Sequence, residues 1–176
     1  MSETLLRIRD LTLARSGAAK PEIQGFSFAL APGDTLTLLG ETGSGKGAVL
    51  RMLARPVRRG TQISGTVQLR DGAEQPLVRN MTLDLRMVYL PGPHASVFNP
   101  HASVLQQLTL IVARKLRQPR PSARAELALA LERLPGAPTL EALDHPPALV
   151  APEALGAGLL AAAVAQTPDL VLADDP

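Results

Sequence analysis

The sequence predicts an α/β fold, and three observations carry that expectation. Short apolar runs of strand character alternate with helical segments along the chain. A glycine-rich loop joins one such run, Thr35 to Leu39, to a helix that begins at Lys46. The composition is 45% hydrophobic and 19% charged, which is enough apolar material for a core and argues against disorder. The 176 residues have room for one domain of ordinary size, or one and a fragment.

Leu5 to Leu13 alternates apolar and polar residues, the pattern of a half-buried strand. Ser16-Gly17 and Pro21 break a loop between Ala14 and Glu22, and Ile23 to Leu30 reads as a second strand. Pro32-Gly33-Asp34 is a turn before the third strand, Thr35 to Leu39, which is apolar enough to be buried on both faces. Lys46 to Ala54 is a helix stopped by Pro56. Gly65 to Leu69 and Leu83 to Leu90 are strands, followed respectively by the Asp71-Gly72 turn and the Pro91-Gly92-Pro93 break. Ala102 to Leu116 is helical, Pro119 to Pro121 is a linker, and Ser122 caps a helix that runs to Leu134. Pro152 to Gln166 is an Ala-rich helix that Gly156 and Gly158 weaken. Leu170 to Ala173 is a last buried strand.

Composition excludes several functions. Leu (31 residues) and Ala (26) supply most of the apolar material, while Phe, Tyr and Trp number four. The core is therefore aliphatic, and stacking platforms for single-stranded nucleic acid are excluded. Cysteine is absent, so no disulfide, thiolate metal site or thiol nucleophile exists. His94, His101 and His145 are too scattered for a metal centre. The net charge is only +2, and fifteen of the eighteen basic residues are Arg. Arg51, Arg55, Arg58 and Arg59 form one basic patch; Arg114, Lys115, Arg117, Arg120 and Arg124 form another. Both read as solvated faces, and no nucleic-acid partner is expected. No stretch of eighteen apolar residues could span a membrane. The acidic start, Met1-Ser2-Glu3-Thr4, leads straight into a strand and is not a signal peptide. A cytoplasmic location is the default expectation.

The strongest chemical signal is Gly40-Glu41-Thr42-Gly43-Ser44-Gly45-Lys46-Gly47, which has the G-x-x-x-x-G-K spacing of a phosphate-binding loop. Glycines let the backbone curl so that several N–H groups meet one anion. Lys46 reaches the outer phosphates, and the helix that starts there adds its positive N-terminal end. The next residue is expected to be Ser or Thr, whose hydroxyl ligates Mg²⁺. Gly47 offers no side-chain oxygen, so a bound metal would take a water in its place.

This loop is one of three segments that resemble the ATP-binding subunit of an ABC transporter. The second is Phe26 to Asp34 ahead of it, and the third is the end Pro168-Asp169-Leu170-Val171-Leu172-Ala173-Asp174-Asp175-Pro176. Val88-Tyr89, Pro93-His94-Ala95-Ser96 and Phe98-Asn99-Pro100 are similar to the Gln-loop region of the oligopeptide, dipeptide and nickel importer group. The resemblance implies a P-loop NTPase of ABC type, with a RecA-like core, an antiparallel β subdomain and a helical subdomain, incomplete at the C-terminus. It places the β subdomain and P-loop part in residues 1–90, the helical subdomain in 91–153 and the return to the core in 154–176. ATP and Mg²⁺ are the implied cofactors. Gly40, Glu41, Thr42, Gly43, Ser44, Gly45, Lys46 and Gly47 would hold the nucleotide, Asp174 would hold Mg²⁺ through water, and Asp175 stands where the family has its catalytic glutamate. The implied partners are a second ATP-binding subunit, identical or homologous, and membrane permease subunits. The implied location is peripheral, on the inner face of the cell membrane.

Several positions depart from the family pattern. Asp175 is one methylene shorter than glutamate. The Gln-loop glutamine falls near Leu90 or Gly92. The signature segment is reduced to Leu155-Gly156-Ala157-Gly158-Leu159-Leu160 and lacks its serine. The stacking aromatic maps to Arg15. The family's D-loop, its switch histidine and the strand between Thr35–Leu39 and Leu170–Ala173 would lie past Pro176, so those two apolar strands are expected to lack their shared neighbour. The expected function is thus an ATP-binding subunit of a peptide or nickel importer with impaired hydrolysis. A non-catalytic partner of an intact subunit, a remnant of a decayed gene and another kind of P-loop NTPase stand as alternatives.

Overall fold

The computed structural model describes residues 4–41, 43–55, 57, 59–79, 81–92 and 94–174, without the side chains of His94 and Ala95. Thr42, Asp175 and Pro176, and the breaks read at Pro56 and Pro93, lie outside the described residues, as does Arg58. The chain divides into two compact units, Met1–Asp84 and Leu85–Pro176.

The first unit is built on a four-stranded antiparallel sheet. Its strands are β1 (Leu6–Arg15), β2 (Ile23–Leu30), β3 (Thr61–Leu69) and the short β4 (Gln75–Pro76), in the order β2-β1-β3-β4. The helix α1 (Lys46–Ala54) lies between β2 and β3 in the chain. On β1, Leu6, Ile8, Leu11 and Leu13 are all buried, although an even-to-odd step separates the first pair from the second. A regular strand would send those pairs to opposite faces. The structure resolves the conflict with a bulge. Between Ile8 and Leu11, β1 advances three residues against two of β2, and between Arg9 and Thr12 it advances three against two of β3. Asp10 takes φ 52 there, and the hydroxyl of Ser27 accepts its N–H at 2.9 Å. One extra residue thus keeps all four aliphatic side chains on the core face.

That bulge explains why β3 runs four residues further than expected. Gly65 reads as a strand terminus in the sequence, but it lies in mid-strand against the bulge. A Cβ there would stand 2.6 Å from the Arg9 carbonyl oxygen and 2.9 Å from the carbonyl of Asp10, and φ is +115. Only glycine admits so close an approach.

The expected strand at Thr35 to Leu39 is not formed. The segment lies in no sheet, with Leu36 45% and Leu39 89% exposed. A strand apolar on both faces depends on ladder partners for its backbone groups and on neighbours for its side chains. Among the described residues none pairs with it.

The second unit has an aliphatic core packed by helices. They are α2 (Val104–Leu116), α3 (Arg120–Glu132), the single-turn α4 (Leu140–Leu143) and α5 (Pro152–Val164). Val104, Leu105, Leu108 and Val112 of α2 meet Leu127 and Leu131 of α3, Leu143, and Leu155 and Leu159 of α5 in one cluster. Ser103 caps α2 by accepting the Gln106 N–H at 3.2 Å. The expected cap at Ser122 and linker at Pro119 to Pro121 are both corrected: Pro119 is the cap and Pro121 sits inside the first turn of α3. Proline suits that turn, whose N–H groups have no helical partner. Gly158 does not break α5, because its missing side chain makes room for the helix crossing. A Cβ there would be 2.9 Å from Leu108 Cδ1. The strands β5 (Met87–Leu90) and β6 (Leu170–Ala173) pair in parallel, Met87 with Leu170 through Leu90 with Ala173.

Thr109 is buried on α2, and its hydroxyl has no hydrogen-bond partner. A buried hydroxyl without a partner costs about 1–3 kcal/mol. Thr109→Val keeps the branched shape and removes the group, so it is expected to raise the urea midpoint by about 1 kcal/mol of stability; an unchanged or lower midpoint would contradict this.

Candidate nucleotide site

The loop from Gly40 to Gly47 closes on itself through Lys46. The ammonium donates to the carbonyl oxygens of Gly40 at 2.6 Å and Glu41 at 2.8 Å, and lies 3.5 Å from Ser44 Oγ. The Ser44 N–H donates to the Glu41 carbonyl at 3.1 Å, which makes the tip a tight turn. Gly45 is the N-cap of α1 with φ 94, the left-handed region. Its carbonyl accepts from the N–H groups of Ala48 and Val49. A Cβ on Gly45 would meet Ile23 and the Glu22 carbonyl oxygen, so both backbone angle and space demand glycine. No acidic residue occupies the first turn of α1, which leaves its positive end uncompensated. Most of the loop is exposed, and Gly45, Lys46 and Gly47 are half-buried. The sequence thus folds locally into a curled, N–H-rich turn at a helix N-terminus with a lysine folded over it, an arrangement suited to phosphate.

Arg15 lies at the end of β1, 3.7 Å from the Glu22 carboxylate, with 70% of its side chain exposed. It lines a cleft of about 340 Å³ with Leu13, Arg51, Met52, Arg55 and Val57 beside α1. Two of the basic residues read as a solvated face therefore border a concave surface.

Asp174 belongs to the second unit, one residue past β6. Its N–H donates to the Leu90 carbonyl at 2.9 Å, which continues the ladder beyond the strand. The Tyr89 hydroxyl donates to Asp174 Oδ2 at 2.8 Å. At the opposite end of the strand pair, Arg86 donates from Nε and Nη2 to the two carboxylate oxygens of Asp169 at 3.3 and 3.2 Å. The Arg86 N–H also donates to Asp169 Oδ2, at 2.8 Å. The Asp169 hydrogen bond, and then its charge, hold the Arg86 guanidinium above its usual pKa. Neither clamp was foreseen; Tyr89, the chain's one tyrosine, was the available signal.

Two positions that depart from the family pattern are placed in the core. Leu90, one of the two positions where a glutamine is expected, pairs with Ala173 and is 7% exposed among apolar neighbours. The segment Leu155 to Leu160 lies inside α5, which starts at Pro152, with Leu155 2% and Leu159 5% exposed. It forms helix interior and presents no N-terminal end of its own. Phe98, in the stretch similar to the importers' Gln-loop region, is buried at 7%. Asn99 and Pro100 stay exposed, and Gln107 ties Asn99 to α2 by accepting its N–H at 2.7 Å and donating to its carbonyl at 3.0 Å.

The profile of the family described as ABC transporter matches residues 23–176. The chain belongs to the ABC transporter family. This member has the P-loop NTPase fold of the family's ATP-binding subunits. The chain superposes on a dimeric structure of the ATP-binding cassette MJ0796 in a post-hydrolysis state with ADP and Pi. The TM-score is 0.65 at 15% identity, over 97% of this chain and 73% of that one. It is 34% identical over 117 residues to the di/tripeptide transport ATP-binding protein DppF of Pseudomonas aeruginosa, covering 60% of this chain and 35% of the relative. It is 26% identical over 179 residues to the metal-staphylopine import system ATP-binding protein CntD of Staphylococcus aureus, covering 98% of this chain and 65% of the relative. This ABC chain therefore spans about a third of the first relative's length and just under two thirds of the second's.

Proposed function

We propose that this chain is the ATP-binding subunit of an ABC import system, with impaired hydrolysis. The observation that carries the reading is the loop from Gly40 to Lys46: a left-handed glycine cap opens α1, and the Lys46 ammonium closes over the turn. In this reading Lys46 transfers its hydrogen bonds from loop carbonyls to phosphate oxygens when ATP enters. The backbone N–H groups of Gly43 to Lys46 hold the same oxygens. Gly47 leaves the metal without a hydroxyl ligand. Asp174 supplies a hard carboxylate oxygen suited to Mg²⁺. The ion, when bound, neutralises phosphate charge. Peptides or nickel are the proposed cargo, and the names of DppF, a di/tripeptide transport protein, and CntD, of a metal-staphylopine import system, support a peptide or metal-chelate class. The partners would be a second ATP-binding subunit, as in the dimeric MJ0796 structure, and permease subunits at the inner membrane face. No helix among the described residues is long and apolar enough to cross a membrane, which is compatible with a peripheral subunit.

A second reading, a non-catalytic partner that binds ATP beside an intact subunit, is favoured by the burial of Leu90 and of the segment within α5.

The test is calorimetric titration of the full chain with ATP. Binding is expected, and Lys46→Ala is expected to weaken it about 10–100-fold, the value of a charge-assisted hydrogen-bond set worth about 1.5–3 kcal/mol. No binding at millimolar ATP, or equal affinity in the variant, would overturn the reading.

A further inference from the structure

We propose that the corner between α2 and α3 is a docking surface for a membrane leaflet rich in anionic lipid, met through Arg114, Lys115, Arg117, Arg120 and Arg124. The proposal goes beyond the nucleotide reading and does not depend on it.

Residues 117–119 join the two helices, whose apolar faces pack together, so the end of α2 and the start of α3 adjoin. Five of the eleven residues from Arg114 to Arg124 are cations, and all five are exposed. No Asp or Glu occurs between Asp84 and Glu126. Among the described residues none of the five side chains has an ion pair or a hydrogen bond.

Local stability does not account for these residues. Arg114 and Lys115 suit the negative end of α2, but the other three are placed against the preferences of their helices. Arg120 is the first residue of α3, where the positive helix end favours an acid, and no acid lies in that turn. Arg124 follows four residues later, so two like charges share a helix face and repel. Arg117 caps α2 at φ 53 and ψ 42, the left-handed region that glycine enters at least cost. Three of the five cations thus oppose the stability of the fold, and an anionic partner offsets what they cost.

The chemistry favours a lipid surface over a folded polyanion. Long side chains without internal partners can follow phosphates that move laterally, whereas recognition of a fixed acidic patch gains from side chains held in place beforehand. No aromatic residue lies between Arg114 and Arg124 to stack on a base. Ile111 is 37% exposed and stands one turn before Arg114 and Lys115 on the same face of α2. An apolar side chain beside cations is the composition of helices that lie in the membrane interface. Clusters of roughly four to eight Lys or Arg are attracted to anionic headgroups in this way.

The experiment is co-sedimentation of the full chain with vesicles of phosphatidylcholine mixed with phosphatidylglycerol, against phosphatidylcholine alone, at low and high salt. Binding is expected only to the mixed vesicles, and it is expected to fall with salt. Each charge removed is expected to weaken it about fivefold, the factor that corresponds to about 1 kcal/mol. Arg117→Gly removes one charge and Arg120→Glu reverses one, so losses of about fivefold and about 25-fold are expected. Their thermal midpoints are expected to equal or exceed that of the unaltered chain, since both substitutions suit the helix ends. Arg51→Gln, in the other basic patch, is expected to bind as the unaltered chain does. Equal binding to the two vesicle types, or none to the mixed vesicles, would overturn the proposal. So would a loss in Arg51→Gln as large as that in Arg117→Gly, because binding would then follow net charge alone. Lower midpoints in both corner variants would assign these residues to the fold and overturn it as well. Tighter binding to a short DNA duplex than to the mixed vesicles would make the partner a nucleic acid and overturn the lipid.

Discussion

Gly65→Ala is expected to destabilise the first unit by about 2–6 kcal/mol, the sum of a left-region backbone penalty of about 1–3 kcal/mol and a similar cost of overpacking. The new methyl would stand 2.6 Å from the Arg9 carbonyl oxygen and 2.9 Å from the Asp10 carbonyl, and both obstacles are backbone. Backbone cannot swing aside as a lysine tip can. The strands could separate only by giving up ladder bonds on either side of the bulge, between β1 and β3. Relief by removing the bulge is closed as well, because a regular β1 would turn either Leu6 and Ile8 or Leu11 and Leu13 out of the core. An energy of that size is a large fraction of the net stability of an ordinary domain, about 5–15 kcal/mol. The measurement is the urea midpoint followed by amide exchange of β1 and β3. Ser64→Ala, one position away, serves as the control. Equal midpoints for Gly65→Ala and Ser64→Ala would refute the close approach.

This case also shows what the sequence could and could not disclose. The aliphatic positions of β1 were legible because burial leaves a pattern, and so were α1, α2, α5 and β6. The bulge was not legible, because it is a relation between Asp10 on one strand and Gly65 on another, fifty-five positions later in the chain. A glycine in a strand pattern signals a terminator and a close approach equally well. Pro119 and Pro121 misled in the same way, since proline ends helices but also begins them. Thr35 to Leu39 has the composition of a buried strand, yet composition supplies no ladder, and the segment is left exposed. At the site, the loop was readable because its chemistry is local: cap, turn and lysine fall within eight residues. Tyr89 and Asp174 are eighty-five apart, and only the register of β5 against β6 joins them.

The purified chain is expected to release no measurable phosphate from Mg-ATP, and single repairs are expected not to restore release. Three departures act on different parts of the reaction. Gly47 removes a hydroxyl from the metal shell. Asp175, in the role the family resemblance gives it, would hold its carboxylate about 1 Å short of the attacking water, which can cost on the order of 10²-fold. Leu90 and Gly92, the two positions where the resemblance places an amide, offer none, and Leu90 is buried. Deficits at separate parts multiply when the sites act independently. Two such losses amount to about 10⁴-fold, enough to take an ordinary turnover near 10 s⁻¹ to about one event in a quarter of an hour. Asp175→Glu is therefore expected to leave release at background, because Gly47 and Leu90 remain. Helix α5 sharpens the same expectation. It carries Leu155 to Leu160 in its interior, so a second copy of this chain would offer the phosphate no fresh helix end at that segment. Mixing the chain with itself at high concentration should not rescue turnover, whereas a homologous subunit with an intact signature could supply that end. Coupled-enzyme phosphate assays on the chain and on Asp175→Glu decide the matter, with Lys46→Ala as the blank. Release above that blank by the unaltered chain would mean that the altered positions are tolerated and that this subunit turns ATP over.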